Sequence, residues 1–569
     1  MGLLKKSEKA KPLKSHGGGA PGVSAQRPQQ VQKPAPCLVG CPAGNDVRGW
    51  LNLISQRTRT GTSLEAALDA AFATLAATNP IPAVLGRVCP HPCEDGCNRK
   101  DKDGAVAINS VERFLGDWAL ERKLPLPAMR EERKEKIAVV GAGPAGLSCA
   151  YQLARRGYAV TIFESLPEPG GMLRYGIPDY RLPRGVLAAE IARIAALGVE
   201  IRCGVKVGAD VPFEQIEREH DAVFVAIGAH RGKRIGIEGE DGPGVCTGTA
   251  FLRQVAMGTP PPVGKRVAVI GGGDTAVDAA RVSRRLSVDA AGAASKLGAD
   301  VTLFYRRTLA EMPAIEEEVS AAMEEQVAIA FLAAPSRIVR DETGKLVKLV
   351  VERMKLGEPD ASGRRSPVPT GELIDYECDT VITAVSQEPD ADALGGPLST
   401  VRWFEADKWG HTSLHKVWTG GDDTGLALAT TAVGQGRVAA ESIHAALRGE
   451  QPKEIEKAAP ISSAKLRLDV PEAKERARRG HLDPVARLDS PHAEIDLGIT
   501  REQALEESAR CLSCGNCSGC ERCWMFCTPS CFTKISPPAP GHYYKIKLDT
   551  CDGCGKCAAE CPCGFLEMV

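Results

Sequence analysis

KIAVVGAGPAGLSCAYQLARRGYAVTIFES, residues 136–165, carries a charged residue into an apolar run, then Gly-x-Gly-x-x-Gly, an alanine- and leucine-rich stretch, and a second apolar run. That order reads as strand, glycine turn, helix, strand. Gly141, Gly143 and Gly146 would make the tight turn, admit a pyrophosphate and let helix and strand pack closely. Pro144 and Ala145 fall at the helix start, where free amides meet phosphate charge. Glu164 ends the second strand and is placed to accept hydrogen bonds from an adenosine ribose. A lone glycine motif is weak, but here the flanking strand, the helix and the downstream acid are all present. A bound dinucleotide is expected.

RVAVIGGGDTAVDAARVSRRL, residues 266–286, repeats the pattern with Gly271, Gly272, Gly273, Asp274, Thr275 and Ala276. Where the first unit reads VTIFES, the second reads VTLFYRR, so Tyr305, Arg306 and Arg307 stand where Glu164 stood. Arginine pairs with phosphate as glutamate cannot. A 2′-phosphate is therefore welcome and NADP(H) is favoured over NAD(H). The alternative is that the arginines are surface residues or meet the pyrophosphate of NAD(H). An Ala/Ser/Gly-containing insert, 287–296, precedes this strand.

Of 21 cysteines, twelve lie between Cys511 and Cys563, and the run Cys-x2-Cys-x2-Cys-x3-Cys occurs twice. The copies are Cys517, Cys520, Cys523, Cys527 and Cys551, Cys554, Cys557, Cys561. Thiolates so spaced wrap iron–sulfur clusters, the fourth of each run serving the neighbouring cluster. One cluster then takes Cys517, Cys520, Cys523 and Cys561, the other Cys551, Cys554, Cys557 and Cys527. Zinc is the main rival, but it needs only four ligands and gives no reason for a duplicated spacing. Five more cysteines, Cys37 to Cys97, fall in an N-terminal unit.

With 71 basic and 72 acidic residues and 5% aromatics, the composition gives no reason to expect nucleic acid. Apolar stretches are short and broken, so no membrane span is expected. The N-terminus has charge but no apolar core and does not read as a secretory signal. A reducing cytoplasm suits the clustered cysteines better than a disulfide framework.

The chain divides into a flexible tail (1–34), an N-terminal helical Fe–S domain (35–133), and an FAD-type nucleotide domain (134–262 and 385–450). An NAD(P)-type domain (263–384), a connector (451–510) with a helix at 501–510, and a ferredoxin-like domain (511–569) complete it. The fold class is α/β multidomain: two nested Rossmann-like domains flanked by a helical Fe–S domain and a C-terminal α+β domain.

Residues 37–445 resemble the small subunit of glutamate synthase and its relatives, through GGMLRYGIPDYRLP (170–183), AIGAHRGKRIGIEG (226–239), WTGGDDTGLALATTAVGQGRVAA (418–440) and GRVCPHPCEDGCN (86–98). The resemblance implies FAD in the first nucleotide domain and NAD(P)H in the second. Gly171, Arg174, Gly228, Gly420, Asp422 and Gly434 then lie near the flavin. No acid, base or nucleophile is assigned, and His91 and His230 are read as structural or polar surface residues rather than catalysts. The family pattern gives one cluster from Cys41, Cys89 and Cys93, with Glu112 as fourth ligand. The alternative is that Cys97 completes the site and Glu112 is an ordinary helix residue.

The family's second N-terminal cluster uses Cys37 and Cys97 with an upstream pair, and no cysteine precedes Cys37. REQALEESARCLSCG (501–515) looks like that missing segment displaced to the far end. Subtracting the eight ferredoxin ligands leaves Cys511, Cys514, Cys531 and Cys563. Cys511 and Cys514 joining Cys37 and Cys97 would make a fourth cluster; otherwise they are reduced structural thiols and the clusters number three.

The expected activity is NAD(P)H:acceptor oxidoreduction through FAD and three to four [4Fe-4S] clusters. The partner would be a redox protein, ferredoxin included, or the catalytic subunits of a hetero-oligomer. CLSCGNCSGCERCWMFC and YKIKLDTCDGCGKCAAECP look like the ferredoxin subunit of 2-oxoacid oxidoreductases, which favours such a partner. Siroheme sulfite reductase and the glutamate synthase large subunit are alternatives, as is a non-catalytic electron-transfer scaffold.

Overall fold

The computed structural model describes residues 24–569 apart from 130, 291–298, 362, 396–397, 399–401 and 455–457. It is an α/β multidomain protein with an N-terminal helical region, two parallel sheets of Rossmann type and a C-terminal α+β region. The chain forms two compact units. One takes residues up to Pro127 with Lys453–Arg479 and Gly498–Val569; the other takes Ala128–Pro452 and Gly480–Leu497.

The second unit holds both sheets. In the first, the strands run in the order Val417–Thr419, Ala222–Val225, Lys136–Val140, Ala159–Glu164, Glu200–Cys203, all parallel. In the other the order is Ala328–Phe331, Asp300–Tyr305, Arg266–Ile270, Thr380–Thr383, Val245–Thr247, again parallel. Central strands such as Lys136–Val140 and Arg266–Ile270 bury four consecutive residues, as parallel strands covered on both faces do. Each buried valine there is worth about 1.5–3 kcal/mol. Pro144, at the first position of the Pro144–Ala154 helix, lacks only an amide that would have had no intrahelical partner.

Two expectations about boundaries need correction. Strand Val245–Thr247 and helix Gly248–Ala256 belong to the second sheet and its core, so that domain begins before 263. Three residues carry no periodic signal, which is why the sequence hid them. The stretch 451–510 is not one connector but divides between the units. Within Gly480–Leu497, Ile495 enters the core of the second sheet and donates its amide to the Tyr180 carbonyl at 3.0 Å. The insert expected at 287–296 begins as helix, which runs Asp274–Ala290, and its remainder lies outside the described residues.

The first unit is built on helices Val47–Ser55, Leu64–Ala76, Pro82–Val88, Ile108–Glu121 and Arg501–Arg510 around Trp50, Leu51, Ile54, Leu68, Leu75, Val111 and Leu115. Helices Pro82–Val88 and Ile108–Glu121 touch through glycines. A Cβ on Gly86 would lie 2.4 Å from Arg113 Cα, and one on Gly116 would lie 2.3 Å from Ala83 N. Only glycine permits that approach. The C-terminal region pairs Phe532–Ala539 with His542–Ile546. Residues 28–30, expected in a flexible tail, instead form a strand antiparallel to Leu566–Met568. Among the described residues no helix is long and apolar enough to cross a membrane.

Candidate redox centres

Around the first glycine turn the backbone is packed too tightly for side chains. Gly141 has φ 105°, and a Cβ there would lie 2.2 Å from the Ala226 carbonyl oxygen; on Gly146 it would lie 2.0 Å from that of Gly141. A Cβ on Gly171 would come within 2.7 Å of Gly143 Cα, and Gly170 donates to the Ala142 carbonyl at 2.9 Å. Gly421 and Gly436 close on Ala145 from the other side. The turn at 141–146 therefore meets the loop at 170–171, the loop at 420–424 and the helix Ala429–Arg448 that buries Gly434. Gly420 packs against Gln435, whose Oε1 accepts the Gly421 amide at 2.6 Å.

Glu164 accepts the Ala142 amide at 2.8 Å and the Leu166 amide at 2.9 Å, and burial pushes its carboxyl pKa up. Arg174 donates to the Pro169 carbonyl at 2.8 Å and pairs with Glu168. Asp422 accepts the Ala427 amide at 3.1 Å. The more enclosed acid is its neighbour. Asp423 is fully buried and accepts the amides of Ile227, at 3.1 Å, and Gly228, and burial pushes it up to about 8. It ties the 226–228 loop to the 420–424 loop. Sequence reasoning passed over Asp423 and Gln435; the doubled Asp-Asp offered no way to tell which acid turns inward. Half-buried His230 is pushed down to about 4 by desolvation, then by Arg253.

The second turn repeats the plan with one difference. Gly271 has φ 149° and stands against the Ala384 carbonyl, while a Cβ on Gly272 would strike the Tyr305 ring at 2.4 Å. Gly273 faces open space. Asp274 accepts the Ile315 amide at 3.0 Å, Thr275 packs by Gly248, and Ala276 is buried. The two arginines expected to act together are separated. Arg307 is buried, donating to the Arg365 carbonyl at 2.7 Å and to Asp360 at 2.6 Å. Arg306 is exposed and, among the described residues, has no hydrogen bond or ion pair, so it alone is available to an incoming anion.

In the first unit the thiols fall into four groups. Cys41, Cys89 and Cys93 neighbour one another and Glu112. The glycine-mediated crossing joins the helix that carries Glu112 to the helix that Cys89 caps. Glu112 accepts from Asn79 Nδ2 at 2.7 Å, and burial pushes it up to about 7. Cys97 lies elsewhere. It lines one cavity with Cys37, Cys511 and Cys514, beside Arg48 and Asn98. Asn98 Nδ2 donates to Cys514 Sγ at 3.5 Å, and Arg48 bonds the carbonyls of Lys33 and Cys514, each at 2.6 Å. A second cavity is lined by Cys517, Cys520, Cys523 and Cys561, with Cys563. A third is lined by Cys527, Cys551, Cys554 and Cys557, with Cys531.

The donor sets suit iron–sulfur clusters. No three His, Cys, Asp or Glu among the described residues converge as a single ion would require. The thiols of three of the four groups instead line cavities four at a time. Burial first, and mutual repulsion after it, push Cys511 and Cys517 up to about 12, and Cys514 and Cys557 up to about 11. Such thiols stay neutral at pH 7 unless a bound cation draws off their protons, which is how thiolate–metal sites work. Neighbouring groups are also linked through the chain. Cys37 and Cys41 are one helical turn apart, Cys93 and Cys97 four residues, and Cys514 and Cys517 three residues, a span of at most about 11 Å.

The family model for pyridine nucleotide-disulphide oxidoreductases matches residues 135–436, and that for dihydropyrimidine dehydrogenase domain II, 4Fe-4S cluster, matches residues 20–124. The chain is 36% identical over 531 residues to NADPH-Fe(3+) oxidoreductase subunit beta of Geobacter sulfurreducens, covering 84% of this chain and 75% of that one. It is 38% identical over 523 residues to NADP(+)-dependent formate dehydrogenase subunit beta of Moorella thermoacetica, covering 84% and 70%. It is 37% identical over 431 residues to the glutamate synthase [NADPH] small chain of Halomonas elongata, covering 72% and 87%. The chain belongs to the pyridine nucleotide-disulphide oxidoreductase family, as a NAD(P)H-dependent flavin oxidoreductase with a separate 4Fe-4S domain.

Proposed function

We propose that this chain is the NAD(P)H-reactive subunit of a redox complex, carrying electrons between nicotinamide and a partner enzyme through FAD and four [4Fe-4S] clusters. The observation that carries this reading is the set of four donor groups gathered within one unit. They are Cys41/Cys89/Cys93/Glu112, Cys37/Cys97/Cys511/Cys514, Cys517/Cys520/Cys523/Cys561 and Cys527/Cys551/Cys554/Cys557. FAD, when bound, accepts a hydride as an electron pair and releases single electrons, which one-electron clusters can relay.

The chain's own residues hold and orient these groups. The turn at 141–146 and Glu164 would take the adenine half of FAD. The loops fixed by Asp423 and Asp422 would take the flavin half. The turn at 271–276 would seat the pyrophosphate of the nicotinamide cofactor, with Arg306 at a 2′-phosphate. Similar chains are named as subunits or a small chain, two with NADPH and one with NADP(+) in the name, which supports both a hetero-oligomer and NADP(H).

A 2-oxoacid:ferredoxin-type oxidoreductase fits the C-terminal cysteine text best. Siroheme sulfite reductase and a glutamate synthase large subunit remain the rival acceptors, and cytoplasm the expected setting. Anaerobic addition of NADPH to the flavin-loaded protein tests the reading. Bleaching of the flavin band followed by bleaching of the broad cluster absorbance is expected. A flavin that stays oxidised with NADPH and with NADH would leave only a scaffold.

A further inference from the structure

The stretch 170–183 reaches from one glycine turn to the helix that follows the other. At its start Gly170 donates to the Ala142 carbonyl at 2.9 Å, and a Cβ on Gly171 would come within 2.7 Å of Gly143 Cα. At its end Tyr180, 1% exposed, lies in the core of the second sheet with Val267, Val269, Ala276 and Ala280. Arg181 donates through Nη1 to both carboxylate oxygens of Asp278, at 2.9 and 2.7 Å, and pairs with Glu318 at 3.0 Å. Asp278 is buried on the helix Asp274–Ala290, one turn beyond the residue that opens it.

The residues between these anchors are stiffened. Met172–Tyr175 is a turn of helix, and Arg184 donates to the carbonyls of Leu173, at 3.2 Å, and Ile177, at 2.8 Å. The Pro178 carbonyl accepts the amides of Arg181 and Leu182, at 3.1 and 3.0 Å. The far anchor is locked as well. The guanidinium groups of Arg285 and Arg281 stand 3.9 and 4.9 Å from the centre of the Tyr180 ring, whose negative face attracts them. Buried Glu325 pairs with both, at 2.6 and 2.7 Å. Ion pairs so enclosed keep their geometry, because parting one strands a charge away from water.

Resting on the reading that the two turns seat FAD and the nicotinamide cofactor, we propose that the 170–183 stretch is a strut that sets their separation, with Arg181 as its positioning residue. Arg181 acts through Asp278, whose helix opens at the second turn, while the strut's other end is packed on the first turn. Hydride transfer, which oxidises the nicotinamide and reduces the flavin, needs the reacting atoms about 3–3.5 Å apart, and a displacement of about 1 Å can cost 10²-fold. Binding of either cofactor to its own turn needs no such alignment. The Arg181–Asp278 pair therefore serves the rate rather than the affinity.

Anaerobic stopped-flow reduction of the flavin-loaded, full-length protein by NADPH tests this with Arg181→Met and Arg181→Met/Asp278→Asn. The double variant removes both charges together, so no unpaired carboxylate is left at 278, and Glu318 keeps Arg281 as its partner. The saturating rate of flavin bleaching is expected to fall roughly tenfold to a hundredfold, with FAD content and the half-saturating NADPH concentration as in wild type. Arg181→Lys, which keeps the charge, should regain part of that rate. A saturating rate equal to wild type in either flavin-loaded variant, or a loss confined to the half-saturating concentration, would overturn the proposal. So would loss of FAD from both variants, which would make the stretch a support of the first turn alone. A wild-type flavin that neither NADPH nor NADH reduces would instead sink the reading of the two turns beneath it.

Discussion

Arg307 is held by Asp360 and the Arg365 carbonyl, whereas Arg306 stands exposed at the end of its strand with no partner among the described residues. A charge-assisted bond to phosphate is worth about 1.5–3 kcal/mol. Arg306→Ala should therefore raise KM for NADPH roughly tenfold or more and leave KM for NADH unchanged. Steady-state kinetics with both cofactors check this; equal losses for both would remove Arg306 from 2′-phosphate recognition. Asp423 makes a pH prediction. Its folded pKa, about 8, lies above its ordinary value of 3.8. The folded state then holds a proton that the unfolded state has lost, and stability falls as pH rises from about 4 through 8, by at most about 1.4 kcal/mol per pH unit. Asp423→Asn should flatten that decline when thermal midpoints are compared at pH 5 and pH 8. A slope equal to wild type would mean that Asp423 ionises normally.

Gly86 and Gly116 bring together the helix that carries Glu112 and the helix that Cys89 caps. Gly116→Val must part those helices, since its Cβ would lie 2.3 Å from Ala83 N. A cost of about 1–3 kcal/mol is expected from overpacking. Loss of about four irons per chain should accompany it, read by iron assay; undiminished iron would show that the crossing does not build the site. These elements were unequally legible. The glycine turns and the ferredoxin runs stood out because their chemistry fixes residue type and spacing together. The Arg501–Arg510 helix was visible too, starting at a Thr500–Gln503 capping box. Strand 28–30 was not, since PQQ has no apolar alternation and its partner, Leu566–Met568, lies at the other end of the chain. Asp423 was hidden because burial of one acid in a doubled pair is set by distant loops, not by local pattern.

Three separated stretches of chain assemble the first unit, and charged side chains lock them. Arg510, 1% exposed, bonds the carbonyls of Asp103, Gly104, Ala105 and Lys474, while Arg99 bonds those of Arg510 and Glu472. Asn52 meets Ser513 at 2.8 Å, and Tyr543 meets Gln56 at 2.6 Å. The C-terminal cysteine region is therefore joined to the N-terminal helices rather than appended to them. Cys37, Cys97, Cys511 and Cys514 lie where those stretches meet, so a cluster there would be both a redox centre and a cross-link between chain ends. Iron assay and electron paramagnetic resonance of the reduced protein, compared with Cys511→Ala/Cys514→Ala, decide the matter. The expected result is about 16 irons in wild type and a loss of about four, with one spectral component, in a variant that keeps its flavin. An unchanged iron count and spectrum in a well-folded variant would contradict a fourth centre at this junction.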